Sequence, residues 1–273
     1  MEPIRRWKLA LLLGLVAAGI MVALIVPPWP QNPHYHDFAD QREILGVPNF
    51  WNVVTNLPFA LVGLLGIHLL VDGPPKGGLW ELRIGYMYVF LGALLVGAGS
   101  GYYHLHPTNQ TLLWDRMPLT VAFMALVSVL VGEHINISAG RRLLWPLLVA
   151  GLTSVVYWYA TEAEGRGDLR PYFLVQFLPM ALVPVILLLF PSRLSKTGYI
   201  WGLLGAYTVA KILELYDADV FHALGGISGH SLKHLFAALG CYSFLLALRN
   251  RRPSDQDTRL GHQEDGPERI AQG

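Results

Sequence analysis

One cysteine in 273 residues, Cys241, leaves no partner for an intrachain disulfide and no basis for a cysteine-built zinc site. Charge is scarce too. Asp, Glu, Lys and Arg make up 14% of the chain, against about a quarter in an ordinary soluble domain. So few charges cannot coat a globule of this size, and their scarcity excludes a nucleic-acid binder and a disordered chain. The formal net charge of +1 points to no partner. No internal repeat is visible, and no polar stretch between apolar runs is long enough for a soluble domain.

The chain is instead rich in apolar sequence, at 53% of residues, with a mean hydropathy of +0.41. Its 28 glycines and 18 prolines are compatible with spanning helices, which tolerate both. A spanning helix needs about 20 mainly apolar residues. Runs of that kind cover Leu9–Val26, Phe50–Val71, Leu82–Tyr103, Leu113–Gly132, Leu143–Ala160, Tyr172–Phe190, Tyr199–Leu215 and His230–Leu248. Lys211 and Glu214 weaken the seventh of these. The expected fold is an all-α polytopic membrane helix bundle.

Within it, residues 1–29 hold the first, N-terminal span, 30–49 an outward loop, 50–248 the remaining seven runs and 249–273 a disordered tail. The first run reads as a retained anchor, because it is long for a signal peptide and Val26-Pro27-Pro28-Trp29-Pro30 offers no small-residue cleavage site. With the N-terminus inside, inner segments hold 12 Lys and Arg residues and outer segments four: Arg42, Arg116, Arg166 and Arg170. That bias predicts cytoplasmic termini and outward loops near residues 30–49, 104–114, 161–171 and 217–229.

Seven of the ten histidines then fall in or beside outward loops: His34, His36, His104, His106, His222, His230 and His234. Ionisable groups within spans are costly and mark function by default. His230 and His234, four apart at the start of the last run, share a helix face and make half of a metal site. The alternative is a pair of interfacial histidines bonded to loop carbonyls. Ser100 and His104 form a second such pair, and Asp115 follows across a turn at Pro107, either as a site residue or as a helix-start acid paired with Arg116. Three histidines leave a fourth zinc position open for water, as in catalytic sites. A carboxylate beside them can carry the water's proton to a leaving group, and a hydroxyl can donate to a developing oxyanion. The constellation predicts hydrolysis of a carbonyl compound, with a lipid entering laterally.

Three blocks resemble the alkaline ceramidases, within the seven-span hydrolase superfamily that includes the adiponectin receptors. They are Asn49-Phe50-Trp51-Asn52 with Thr55-Asn56-Leu57-Pro58-Phe59; Gly99-Ser100, Tyr103-His104 and Asp115-Arg116-Met117-Pro118; and His230-x-x-x-His234 with Gly240-Cys241-Tyr242. The resemblance covers roughly a third of the chain and implies a seven-span core, so that Leu9–Val26 is an addition. It also implies zinc on His104, His230 and His234, with Asp115 and Ser100 assisting hydrolysis of a ceramide to a sphingoid base and a fatty acid. Calcium is implied on Asp37, the Phe38 carbonyl, Asp40 and Asn49, although Arg42 stands where an oxygen ligand is expected and Asn49 replaces a carboxylate. Other readings are hydrolysis of another lipid amide or ester, a receptor-like protein with structural zinc, and a haem electron carrier. The residues do not define an oligomeric state.

Overall fold

In a computed structural model of the chain, residues 3–254 are described, and the apolar runs form helices packed as one bundle. They are α1 (Pro3–Ile25), the short α2 (Phe50–Val54), α3 (Leu57–Val71), α4 (Arg83–Leu105), α5 (Asn109–His134), α6 (Ile137–Ala163), α7 (Arg170–Leu189), α8 (Gly198–Leu215), the short α9 (Asp217–Leu224) and α10 (Gly229–Asn250). Among the described residues there is no strand. Helix starts follow local chemistry. The side chains of Thr108, Asn136 and Ser228 each accept a bond from a backbone N–H of the first turn of α5, α6 and α10. Pro118, Pro146, Pro179 and Pro184 lie inside long helices, where neighbouring helices can compensate the missing bonds.

The main core joins α3, α4, α5, α8 and α10 through Leu70, Phe90, Val129, Ile200, Phe244 and their neighbours. Many large apolar side chains point away from it, among them Leu13, Leu24, Leu64, Val149 and Leu188. In water such a surface would aggregate, whereas in lipid it is the solvent-facing side. Seven helices are long and apolar enough to cross a membrane: α1, α3 extended back through α2, α4 with the turn before it, α5, α6, α7 and α10. The chain is a multi-pass membrane protein.

One expectation changes in detail. Of the eight apolar runs, the seventh, now α8, is not among these seven helices. Lys211 and Glu214 lower its hydropathy, yet their charges are paired within the bundle. The helix α1, the expected extra span, is peripheral and largely exposed, and it leans on α7 through Leu12, Leu182, Ile186 and Phe190.

The connections gather at two ends. At one, Leu169 N–H donates to Trp29 C=O, Ala39 N–H to Asp217, and Arg42 to Gly226 C=O. At the other, Gly77 N–H donates to Leu248 C=O and Ser195 N–H to Arg252 C=O. The loops expected to face outward share the first end. The expected tail does not begin at Arg249, because α10 runs to Asn250 and Arg251 is fully buried against Glu133. Residues 255–273 of that tail, with His262, lie outside the described residues.

Candidate functional site

Two glycines bring the site's helices together. A Cβ on Gly99 of α4 would lie 2.1 Å from the Trp114 carbonyl oxygen of α5. Only glycine lets the two backbones meet there, and Ser100 and Asp115 are the next residues along each chain. A Cβ on Gly229 would lie 2.2 Å from the Leu213 carbonyl oxygen, so the start of α10 sits tightly against the end of α8.

His104 at the end of α4 thereby meets His230 and His234 in the first turns of α10. Ring centroids are 5.0 Å apart for His104 and His230, 4.9 Å for His104 and His234, and 5.1 Å for His230 and His234. Each residue offers a nitrogen within 4.8 Å of the others, and all three are buried. Nδ1 of His104 and Nε2 of His230 are buried without a partner. Such orphans are costly unless something occupies the space between them.

The third imidazole has a defined tautomer. Thr55 Oγ1 donates to the Trp51 carbonyl at 2.6 Å and so accepts from the ring N–H of His234 Nδ1 at 3.1 Å, while the Asn56 amide stands farther from that nitrogen at 3.5 Å and donates to the Asn52 carbonyl at 2.7 Å. That leaves Nε2 of His234 as the free donor atom. Three neutral imidazoles with unshared nitrogens on one point fit a zinc ion.

Ser100, Asp115 and His234 line one cavity of about 90 Å³ together with Lys233, Glu214 and Tyr207. Asp115 is not salt-bridged to Arg116. The Arg116 guanidinium turns the other way, donating to Gln31 Oε1 at 2.6 Å and lying 4.1 Å from the Trp158 ring centre and 4.5 Å from that of Tyr172. The carboxylate is therefore left to the cavity.

The remaining histidines do not join the cluster. His36 bonds Tyr103 and Asn109, His34 pairs with Asp37, His68 with Asp72, and His134 with the Phe190 carbonyl. His106 and His222 are exposed.

The residues expected to bind calcium form a cap instead. The Phe38 ring packs on His104 and His230, with centroids 4.7 and 4.5 Å away. Arg42 grips the Asp40 carboxylate through two bonds of 2.8 and 2.7 Å, which hold Asp40 below the usual carboxylate range. The Phe38 carbonyl accepts from Gln41, and Asp37 faces solvent with His34. Asn49, in the left-handed region with φ 48°, donates its amide to the His104 carbonyl. A carboxylate could not donate there, which explains the asparagine. With a guanidinium on Asp40, the Gln41 amide on the Phe38 carbonyl, His34 on Asp37 and Asn49 turned to donate, these four residues do not fit a calcium ion.

The motifs gave no role to Asp217, Asn52 or Thr55. Asp217 accepts from the backbone N–H groups of both Ala39 and His230, at 2.9 and 2.6 Å, and so pins the cap to α10. Asn52 accepts from Ser231 and donates to the Asp40 carbonyl. The F-W-N and T-N-L-P-F blocks were the signal for the last two, but their partners lie 179 residues away in the sequence.

Comparison with known proteins adds one match. The family model described as Ceramidase matches residues 46–190. That range holds Ser100, His104 and Asp115 and ends before α10. No curated protein matches the chain.

Proposed function

Because the chain belongs to the ceramidase family, we propose that it is a zinc-dependent membrane amidase that hydrolyses the N-acyl bond of ceramide-like lipids to a sphingoid base and a fatty acid. The observation that carries this reading is a buried cluster of three histidines with unshared nitrogens beside a cavity lined by Ser100 and Asp115. A closed structural zinc site would need neither a cavity nor a carboxylate left without an ion partner.

His104, His230 and His234 hold the metal. When bound, zinc polarises the amide carbonyl and makes a water acidic enough to ionise near neutral pH. Asp115 takes the proton of the attacking water as the C–O bond forms. It then delivers that proton to the amide nitrogen as the C–N bond breaks, so the amine leaves neutral. Ser100 donates to the acyl oxygen. An apolar groove of about 440 Å³, lined by Leu95, Tyr102, Trp114, Met117 and Pro118, lies on the outer side of the α4–α5 contact and suits an acyl chain arriving from the bilayer. Both termini lie in the cytoplasm and the site faces outward, a reading supported by the Lys and Arg bias.

The test uses the full chain in detergent, wild type beside His234→Ala. About one zinc per wild-type chain and fatty-acid release from ceramides, both lost in the variant, are expected. Zinc without turnover of any lipid amide would move the reading to another lipid ester or to a receptor role. A wild type that binds no zinc would sink the mechanism.

A further inference from the structure

The cavity carries a charged cluster that the reaction above does not use. Glu214 of α8 accepts from Lys233 Nζ at 2.6 Å on one carboxylate oxygen and from Lys211 on the other. The Lys233 and Glu214 side chains are each 18% exposed. Charges this enclosed in a membrane bundle are expensive and mark function unless they only hold helices together.

Two lysines on one carboxylate leave one positive charge in excess. An ammonium has three donors, and the single hydrogen bond of Lys233 is to Glu214. Lys233 lines the same cavity as Ser100, Asp115 and His234. That cluster presents its excess positive charge to the cavity in which the acyl oxygen becomes negative. We propose that Lys233 is a further catalytic residue, donating a hydrogen bond to the acyl oxygen as charge develops there. Glu214 positions it, and Lys211 keeps Glu214 from neutralising it. This rests on the amidase reading.

The experiment compares wild type, Lys233→Met, Lys233→Arg and Glu214→Gln on a short-chain fluorescent N-acyl sphingosine in detergent micelles. It reads kcat, KM, zinc content and thermal midpoint. Lys233→Met is expected to lower kcat by about 10²–10³-fold with zinc retained and KM little changed, the pattern of a contact made only in the transition state. Lys233→Arg restores part of kcat, and Glu214→Gln loses less than Lys233→Met. An active wild type matched in kcat by Lys233→Met would overturn this inference alone. So would equal losses in Lys233→Met and Glu214→Gln with a lowered midpoint, the mark of a tie between α8 and α10. Should Lys233→Met fail to fold or load zinc, Lys233→Gln, which keeps a hydrogen bond to Glu214, takes its place under the same criteria. A wild type without activity on lipid amides would overturn the amidase reading and this inference with it.

Discussion

At the scale of single residues, the tautomer of His234 decides whether the cluster can bind a metal. Thr55 spends its proton on the Trp51 carbonyl and so presents only lone pairs to Nδ1. With the Asn56 amide 3.5 Å away and bonded to the Asn52 carbonyl, the ring carries its hydrogen at Nδ1, and Nε2 is left bare. Replacing Thr55 by valine keeps the shape and removes the acceptor. Loss of such outer support costs about 10–100-fold in metal affinity. Thr55→Val is therefore expected to weaken zinc binding by that factor in a chelator competition, with Thr55→Ser near wild type. Equal affinity in all three proteins would show that the ring is oriented by other means. Asn49 follows the same logic, since the bond its amide donates to the His104 carbonyl requires asparagine rather than the carboxylate of the resembling family.

At the scale of elements, the segment 37–49 works as a cap. It lays Phe38 over two of the imidazoles and is fastened by Asp217 to the start of α10, by Asn52 to α2 and by Arg42 to the Gly226 carbonyl. Its internal cation is Arg42. Because the Arg42 bonds depress Asp40, the stabilisation from this pair is fully present above the ordinary carboxylate pKa of about 4. It is lost as pH falls through the lowered value. Limited proteolysis of the segment should stay slow from neutral pH down to that range and accelerate below it. Arg42→Gln should be cut faster already at neutral pH. Adding or chelating calcium should leave the wild-type pattern unmoved, and protection by calcium would restore the cation site rejected above.

At the scale of the whole molecule, the two ends of the bundle are held by different means. The site end is a web of loops over α4 and α10. The opposite end is locked by Arg251, which donates to both carboxylate oxygens of Glu133 at 2.9 and 2.7 Å while Tyr86 adds a third bond. Arg251 and Glu133 have no exposed side-chain surface. Removing one partner strands a buried charge, which costs about 3–5 kcal/mol. Arg251→Met should lower stability by that amount in detergent denaturation. At temperatures where the variant remains folded, its zinc content should equal that of wild type, because the cluster lies at the other end. A loss of zinc without a loss of stability would mean that the ends are coupled.

The sequence by itself determined the membrane bundle, because apolar runs of about 20 residues and a shortage of charge allow few other outcomes. It also determined which side chains to suspect, since histidines four apart share a face and a serine, a histidine and an aspartate recur in the order of a known family. It could not say that α8 would carry its charges inward, because hydropathy counts a lysine as a cost whether or not a glutamate awaits it on the same helix. Nor could it say that Arg42 would fill the place of an ion, or that Thr55 would set the tautomer of His234, since such partners are distant in the chain or defined only by geometry. Convergence of His104 with α10 required two close backbone approaches at Gly99 and Gly229. Periodicity assigns a residue to a face, and packing alone decides which faces meet.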